Sequence, residues 1–428
     1  MTGAASNGGG GRARVAVTGI GVVSPLGIGR EEMWRSASEG RSGAGLITLF
    51  DASDSPVRIA CEAHGFDPSD FMDRRVARRM DRYAQFAVAA ARMALADSGL
   101  AVDRDGEGIG AIIGNGGSGT ISREEQHRVM LERGPDRVSP FAIPLSVANM
   151  GAGQVSMELG LRGPVTAVCT ACAAGTDAIG TAVEAIRRGD ARAMLAGGAD
   201  SLISRYFVAG FDAMRVLSHR NDDPAGAARP FDRDRDGFLV GEAGAVLVLE
   251  PLEDARARGA DVICEVAGYG ASADAYHITD PDPSGVPQAR AVSAAIQDAG
   301  LSPDQVDHVN AHGGASKPGD PAEVRVLQLA LGEEAAARVT VSATKSMHGH
   351  CMGATGALEA AITALALREG VVPPTINLHE VDPACVGVDH VANASRRADM
   401  RAAMSTSFGL GGHNSALVLT RAEDGDRS

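Results

Sequence analysis

Along this 428-residue chain, apolar positions follow two alternating patterns. Short strand-like runs occur at 14–21, 110–113, 194–196, 245–249, 263–266 and 416–419. Runs of this length, closed by Gly turns, predict buried strands. Between them lie Ala-rich stretches with apolar residues three and four apart, which predict helices over 82–98 and 287–299. Strands alternating with helices predict an α/β fold with helix-covered sheets.

A second regularity lies over the first. Ala173-Ala174-Gly175 through Ala185, Arg187 and Gly189 matches Ala354-Thr355-Gly356 through Ala366, Arg368 and Gly370 at a constant offset. Each copy reads as a Gly-rich turn, a helix, then a strand-like segment. In the second copy Gly353 stands where the first has Cys172. The match predicts a duplicated fold with one catalytic centre where the halves meet.

Composition sharpens this picture. The chain has 44% apolar residues, enough for a large core, and 54 glycines, which favour tight turns and close backbone contacts. Trp34 is its one tryptophan, so small residues carry much of the packing. A net charge of −14 opposes a nucleic-acid partner. Six cysteines without framework spacing suit a reduced, cytoplasmic protein. The start of the chain lacks the apolar stretch of a signal peptide, and the longest apolar run, near 360–367, is too short to span a bilayer. Residues 1–12 and 421–428 are expected to be disordered, with the first half over 13–262 and the second over 263–420. Within this acidic chain, Arg74, Arg75, Arg78, Arg79 and Arg82 fall at helical spacing, either as a solvated face or as a docking patch.

The candidate chemistry is a thiol in one half and two imidazoles in the other. Cys172 lies between small residues where a helix is expected to begin, and unpaired N–H groups there favour a thiolate nucleophile over a structural cysteine. His312 follows a strand-like segment and precedes Gly313 and Gly314; His350 ends a loop before the second repeat helix. Neutral imidazoles donating N–H bonds would hold a thioester carbonyl as negative charge grows on it. Lys345 and Glu323 are expected to form a buried ion pair. The segment Ser405-Thr406-Ser407-Phe408-Gly409-Leu410-Gly411-Gly412 reads as a flexible loop beside a strand, a gate with an oxyanion donor, Phe408 being its mobile aromatic. Three other patterns are set aside. Gly114-Asn115-Gly116-Gly117-Ser118-Gly119 has dinucleotide spacing but no convincing ribose-binding acid. Asp232 to Gly237 opens like a calcium loop, but Ala243 stands where a Glu is needed. Cys169 and Cys172 have no second cysteine pair to make a zinc site.

These residues closely resemble the β-ketoacyl-[acyl carrier protein] synthases of the KAS II type and the related ketosynthases of type II polyketide assembly. The likeness runs from Arg14 to about Leu419. It includes Thr18-Gly19-Ile20-Gly21, Arg229-Pro230-Phe231-Asp232, Asp236-Gly237-Phe238, the His312 and Lys345–His350 motifs, and Val372-Pro373-Pro374-Thr375. The resemblance implies a thiolase-like duplicated fold in five αβαβα layers, usually dimeric. It implies an elongating acyltransferase with no bound cofactor, its substrates carried on the phosphopantetheine of acyl carrier protein. Cys172 would take the acyl chain, and His312 and His350 would assist malonyl decarboxylation. Lys345 and Glu323 would be the electrostatic pair, and the N–H groups of Cys172 and Phe408 the oxyanion hole. Gly409 and Leu410 would line the substrate path, and the arginines from Arg74 to Arg82 would dock the carrier.

Departures from the family pattern stand out. Gly313-Gly314-Ala315-Ser316 replaces Gly-Thr-Ser-Thr, so of the hydroxyls expected near the pantetheine arm the last, Ser316, remains. Gly117 takes the place of a bulky gate and would open the acyl pocket toward a partner subunit. Leu410 replaces an aromatic, and His348 a Thr. Both the altered loop and Gly117 point to a polyketide or polyene pathway, with housekeeping fatty acid elongation as the alternative. The partner would be a second copy or a homologous subunit. A non-catalytic chain-length subunit typically lacks the nucleophile that Cys172 supplies. A thiolase acting on coenzyme A esters needs a second cysteine near the C-terminus, and 405–414 has none.

Overall fold

The computed structural model describes residues 12–102 and 106–422. The disorder expected at 1–12 and 421–428 falls outside the described residues except at Arg12, Arg421 and Ala422. Arg12 is paired with Glu184, and Arg421 with Asp399.

Five strands build the first half: β1 (Val15–Ser24), β2 (Ile109–Gly114), β3 (Val165–Val168), β4 (Ala193–Ser201) and β5 (Glu242–Pro251). Five build the second: β6 (Cys264–Ala273), β7 (His308–Asn310), β8 (Thr340–Ser342), β9 (Ala402–Gly409) and β10 (His413–Thr420). Their spatial orders are β3-β2-β4-β5-β1 and β8-β7-β9-β10-β6, the same permutation twice. Directions repeat as well. The β2–β3, β2–β4, β7–β8 and β7–β9 pairs are parallel; the β4–β5, β1–β5, β9–β10 and β6–β10 pairs are antiparallel. The halves join edge to edge where Ala16 pairs with Glu265 and Val17 with Cys264, giving one 12-stranded sheet with two short additional strands. The strand-like runs overlap these strands, with 14–21 and 263–266 starting one residue early, and the strands extend beyond them because Gly and Ala fill buried strand positions here.

Helices complete the layers: α1 (Arg82–Ser98), α2 (Ala174–Arg187), α3 (Val286–Asp298), α4 (Gly319–Leu331) and α5 (Thr355–Glu369). α1 covers the outer face of the first half, and α3 that of the second, with α4 packed beside it. α2 and α5 pack on each other between the two half-sheets, which makes five layers. Their close approach depends on missing side chains. A Cβ at Gly175 would lie 2.7 Å from the Ala357 nitrogen, and one at Gly356 would lie 2.1 Å from Thr176 Oγ1. α1 spans the residues its periodicity predicts because Asp81 caps its first turn and Gly99 ends it with φ of 62°.

Candidate active site

Each functional side chain sits at the end of a strand. β3 ends at Val168, and the chain turns through Ala171, with φ of +50°, into a single 3₁₀ turn before α2 begins. That turn places Cys172 buried against both halves. β7 leads to His312. After β8 a one-turn helix, Lys345–His348, leads through Gly349 (φ 66°) to His350. A Cβ at Gly349 would lie 2.8 Å from Cys61 Sγ, so the bend requires glycine.

These elements bring the thiol and both imidazoles together. His350 Nε2 lies 3.1 Å from Cys172 Sγ. The two imidazole rings meet edge to face with centroids 5.6 Å apart. Hydrogen bonds fix their tautomers. The Met352 N–H donates to His350 Nδ1 at 3.2 Å, and the Phe408 N–H donates to His312 Nδ1 at 3.3 Å. Each Nδ1 is therefore an acceptor, and each Nε2 carries the hydrogen. Burial, the Lys345 charge and the neighbouring histidine hold both imidazoles well below their ordinary pKa, so both are neutral donors at pH 7.

The thiol departs from expectation. Burial pushes the Cys172 thiol up, against the N–H groups of Leu410 and of Cys172 itself and the Lys345 charge. In the substrate-free site, desolvation outweighs the turn and helix N–H groups that were expected to ionise it. The same contacts put a different N–H group beside the sulfur from the one expected. The Phe408 N–H is engaged by His312, whereas the Leu410 N–H reaches the sulfur. Phe408 packs its ring 5.9 Å from His312, and Gly409 admits the backbone, since a Cβ there would lie 2.9 Å from the Thr170 carbonyl oxygen.

Lys345 and Glu323 are both buried but are not each other's direct partner. Lys345 Nζ pairs with Glu359 Oε1 at 2.7 Å and donates to the His312 carbonyl. Glu323 accepts from the N–H groups of His312 and Gly313, each at 2.7 Å, and from Thr406 Oγ1 at 2.9 Å. Glu323 thus holds the backbone of the His312 loop, and Glu359 balances the lysine. Burial pushes Glu359 up to about 7 against the Lys345 charge. Its one legible signal was a lone carboxylate beside the apolar run of α5. His348 is fully buried, with Nε2 on Thr344 Oγ1 at 3.1 Å and 3.9 Å from Glu359 Oε1.

Cys172, His312, His350, Glu323, Ser316, Phe408, Gly409 and Leu410 line one cavity of about 150 Å³. Gly117 does not. A Cβ on it would lie 2.3 Å from the Leu202 side chain, so Leu202 already fills the space its missing side chain leaves. The dinucleotide-like loop has a structural use: the N–H groups of Gly116 and Gly117 donate to the buried Asp200 carboxylate. The calcium-like loop is likewise occupied from within. Asp232 accepts backbone N–H groups of Asp234, His379 and Glu380, and Arg235 binds the carbonyls of Ser316 and Lys317. The arginine patch divides. A short helix, Arg74–Ala77, ends before α1 begins, so the five arginines do not share one helix. Arg74, Arg75, Arg78 and Arg79 are exposed, but Arg82 makes a two-pronged bond to the buried Glu242 and lies over the Phe86 ring, which removes it from a docking surface.

Comparison with known proteins agrees with this geometry. Residues 12–255 match the model of the β-ketoacyl synthase N-terminal domain, and residues 263–379 that of its C-terminal domain. The chain is 45% identical to a 3-oxoacyl-[acyl-carrier-protein] synthase 2 of Synechocystis sp., covering 95% of this chain and 98% of that one. It is 44% identical to the protein of the same name from Staphylococcus aureus, covering 96% and 99%. Among solved structures, the ishigamide ketosynthase/chain length factor superposes with a TM-score of 0.88 at 37% identity, covering 96% of this chain and 100% of that one. A type II polyketide acyl-carrier protein in complex with its ketosynthase bound to the hexaketide gives 0.89 at 31% identity, with the same coverage. The chain belongs to the β-ketoacyl synthase family, whose members are acyltransferase-class condensing enzymes, and it is an elongating ketosynthase.

Proposed function

We propose that Cys172 is the acyl-carrying nucleophile of a decarboxylative Claisen condensation with malonyl-[acyl carrier protein]. The observation that carries this reading is the 3.1 Å contact between Cys172 Sγ and His350 Nε2 in a cavity shared with His312. In the first step the sulfur attacks the carrier thioester. An acyl–Sγ bond forms, the carrier C–S bond breaks, and the Cys172 proton passes to the departing carrier thiol. In the second, the malonyl C–C bond breaks and carbon dioxide leaves. The electron pair forms an enolate whose oxygen receives the Nε2–H groups of His312 and His350. The enolate carbon attacks the Cys172 thioester, whose oxyanion is held by the N–H groups of Cys172 and Leu410. The C–S bond then breaks, and the freed sulfur regains a proton from solvent. Burial and the Lys345 charge keep the imidazoles neutral, Glu359 pairs with that lysine, and Glu323 positions the His312 loop.

No resident cofactor is required for these steps, and the substrates arrive on the carrier's phosphopantetheine. Exposed Arg74, Arg75, Arg78 and Arg79 suit an acidic carrier. Charge reversal at Arg75 should raise KM for malonyl-carrier several-fold without changing the alkylation of Cys172. An unaltered KM would move the docking site elsewhere. The edge strand β3 is half exposed next to the helix that carries exposed Met157, and Leu131 and Ile143 are exposed in the same half, which favours a homologous subunit, identical or not, against the first half. Among the described residues no helix is long and apolar enough to cross a membrane, and a cytoplasmic location fits the unpaired cysteines.

For the pathway we favour polyketide or polyene assembly, on the altered loop at Gly314 and Ala315. Gly117 no longer adds to that argument, since Leu202 fills its place. Housekeeping elongation is the second reading, supported by 44–45% identity to full-length fatty-acid-type relatives. Mass analysis of products formed from malonyl-carrier and a set of acyl-carriers tests both. Repeated elongation of unreduced chains, or preferred elongation of unsaturated ones, supports the first reading, and a single elongation of saturated chains supports the second. A chain that releases no carbon dioxide and leaves Cys172 unacylated would overturn the condensing role.

A further inference from the structure

His350 lines the cavity with Cys172, and its ring is fixed on several sides. Phe238 meets it edge to face with centroids 5.2 Å apart, and His312 meets it at 5.6 Å. Two groups reach Nδ1: the Met352 N–H at 3.2 Å and Thr355 Oγ1 at 3.0 Å. A backbone amide can only donate, so Nδ1 carries no hydrogen, and the Thr355 hydroxyl must donate to it as well. A continuous chain results: Thr355 O–H to Nδ1, then Nε2–H toward Cys172 Sγ at 3.1 Å.

Helix geometry does not require this contact. Thr355 is the first residue of α5 and is buried. A threonine in a helix commonly returns its hydroxyl to a carbonyl one turn back, as Thr363 does to Glu359 at 2.7 Å. Thr355 instead turns its hydroxyl to the imidazole. At the constant repeat offset the first half has Ala174 in place of Thr355 and Cys169 in place of His350, so hydroxyl and imidazole occur together in the second half and neither occurs in the first. His312 has the Phe408 N–H on its Nδ1, at the longer distance of 3.3 Å.

The direction of the bond decides what the ring can do. An acceptor at Nδ1 would draw the hydrogen there and leave Nε2 free to take the thiol proton. Donors at Nδ1 do the reverse. They hold the hydrogen on Nε2 and polarise it, and they occupy the lone pair on which the ring would have to be protonated.

We propose that Thr355 is a positioning residue for His350, its hydroxyl holding the imidazole as an Nε2–H donor aimed into the cavity rather than as a base for Cys172. This rests on the reading that His350 donates to the oxygen of the forming enolate. It adds that the second half supplies, with its imidazole, the group that fixes the tautomer and direction of that ring.

The test compares Thr355→Val, which keeps the shape and removes the hydroxyl, with Thr355→Ser, which keeps the hydroxyl. In the Val variant the Met352 N–H still meets Nδ1, so no buried acceptor is orphaned. With nitrogen-15 histidine, the His350 signals are those that vanish in His350→Asn. The Nδ1 resonance should move downfield in Thr355→Val, as a nitrogen losing a donor does, and stay in place in Thr355→Ser. Carbon dioxide release at saturating malonyl-carrier should fall about five- to ten-fold in Thr355→Val with KM unchanged, and return to within about two-fold of the parent in Thr355→Ser. An Nδ1 resonance unmoved by Thr355→Val, or decarboxylation there at the parent rate, would overturn the proposal. If the nitrogen signals behave as expected while the unaltered protein releases no carbon dioxide, the proposed reaction fails and this contact stands. Should Thr355→Val unfold, the unaltered protein decides: a hydrogen on Nε2 supports the proposal, and a hydrogen on Nδ1 overturns it.

Discussion

The two repeat turns, one at Cys172 and one at Gly353, share a backbone and differ in use. Ala171 has φ of 50° and its counterpart Met352 has 48°, each at the head of a 3₁₀ turn that opens into a central helix. The strand covering each turn comes from the other half: Gly409 of β9 lies over Cys172, and Gly198 of β4 over Gly353. Yet the N–H of Gly353 donates to the Asp200 carboxylate at 2.8 Å, whereas the turn at Cys172 borders the cavity it shares with His312 and His350. One turn is filled by a protein carboxylate and serves as a fixed joint; the other opens on the cavity, where the proposed function puts the substrate.

The largest expected effect tests the active turn. Cys172→Ala should reduce condensation at least about a thousand-fold and abolish acylation measured by peptide mass. Retained condensation would remove the asymmetry on which the comparison depends. His312→Ala comes next. Losing a preorganised donor should slow malonyl decarboxylation by about 10²–10³-fold, measured as carbon dioxide release. Both imidazoles sit well below 6.5, so neither should gain a proton near that pH when followed by its own NMR resonance; an active-site imidazole resonance that shifts there would mean that a histidine titrates in the working site.

How much of this was legible in the sequence follows from which signals are local. The strands and helices, the constant repeat offset and the three reactive side chains were, because periodicity and small-residue turns are written in contiguous stretches. The positive φ shared by Ala171 and Met352 sits one residue before the Cys172 and Gly353 pair that the repeat identified. What the sequence did not reveal depends on distant partners. Glu359 took the ion pair expected of Glu323, because a lysine fits whichever buried carboxylate packing presents. Leu202 filled the space left by Gly117, a contact across 85 positions that no local pattern encodes. Arg82 carried the same sequence signal as its exposed neighbours, and Glu242 alone separates it from them.

The silent turn predicts a structural rather than catalytic sensitivity. A Cβ at Gly353 would lie 2.4 Å from the Gly116 nitrogen and 2.5 Å from the Asn115 carbonyl carbon, both backbone atoms with little room to yield. Gly353→Ala should cost about 1–3 kcal/mol, read as a lower denaturation midpoint, with kcat changed far less than by Cys172→Ala. A variant as stable as the parent, or one inactive while fully stable, would show that this turn contributes to chemistry and not to the joint alone.

Asp200 gives the smallest test, because it fills the silent turn while its charge acts on the thiol of the other. Its carboxylate accepts from Gly116 at 2.6 Å, Gly353 at 2.8 Å and Gly117 at 3.2 Å, yet burial pushes it from 3.8 up to about 6. An acid whose folded pKa exceeds its unfolded value binds a proton more tightly when folded. Its cost to stability is absent below about 3.8 and grows until pH has risen through about 6. Asp200→Asn removes that titration, so stability of the variant should fall less steeply than the parent's over this window. The amide oxygen can still serve Gly116 and Gly353, while its NH₂ opposes the more distant Gly117 N–H, so the direct loss should be about 1 kcal/mol. The Asp200 charge also helps to hold the Cys172 thiol up. Removing it should speed iodoacetamide alkylation of Cys172 about two- to three-fold at fixed pH. A slope and an alkylation rate both equal to the parent's would mean that the filled turn and the open one are electrostatically independent, however closely their backbones match.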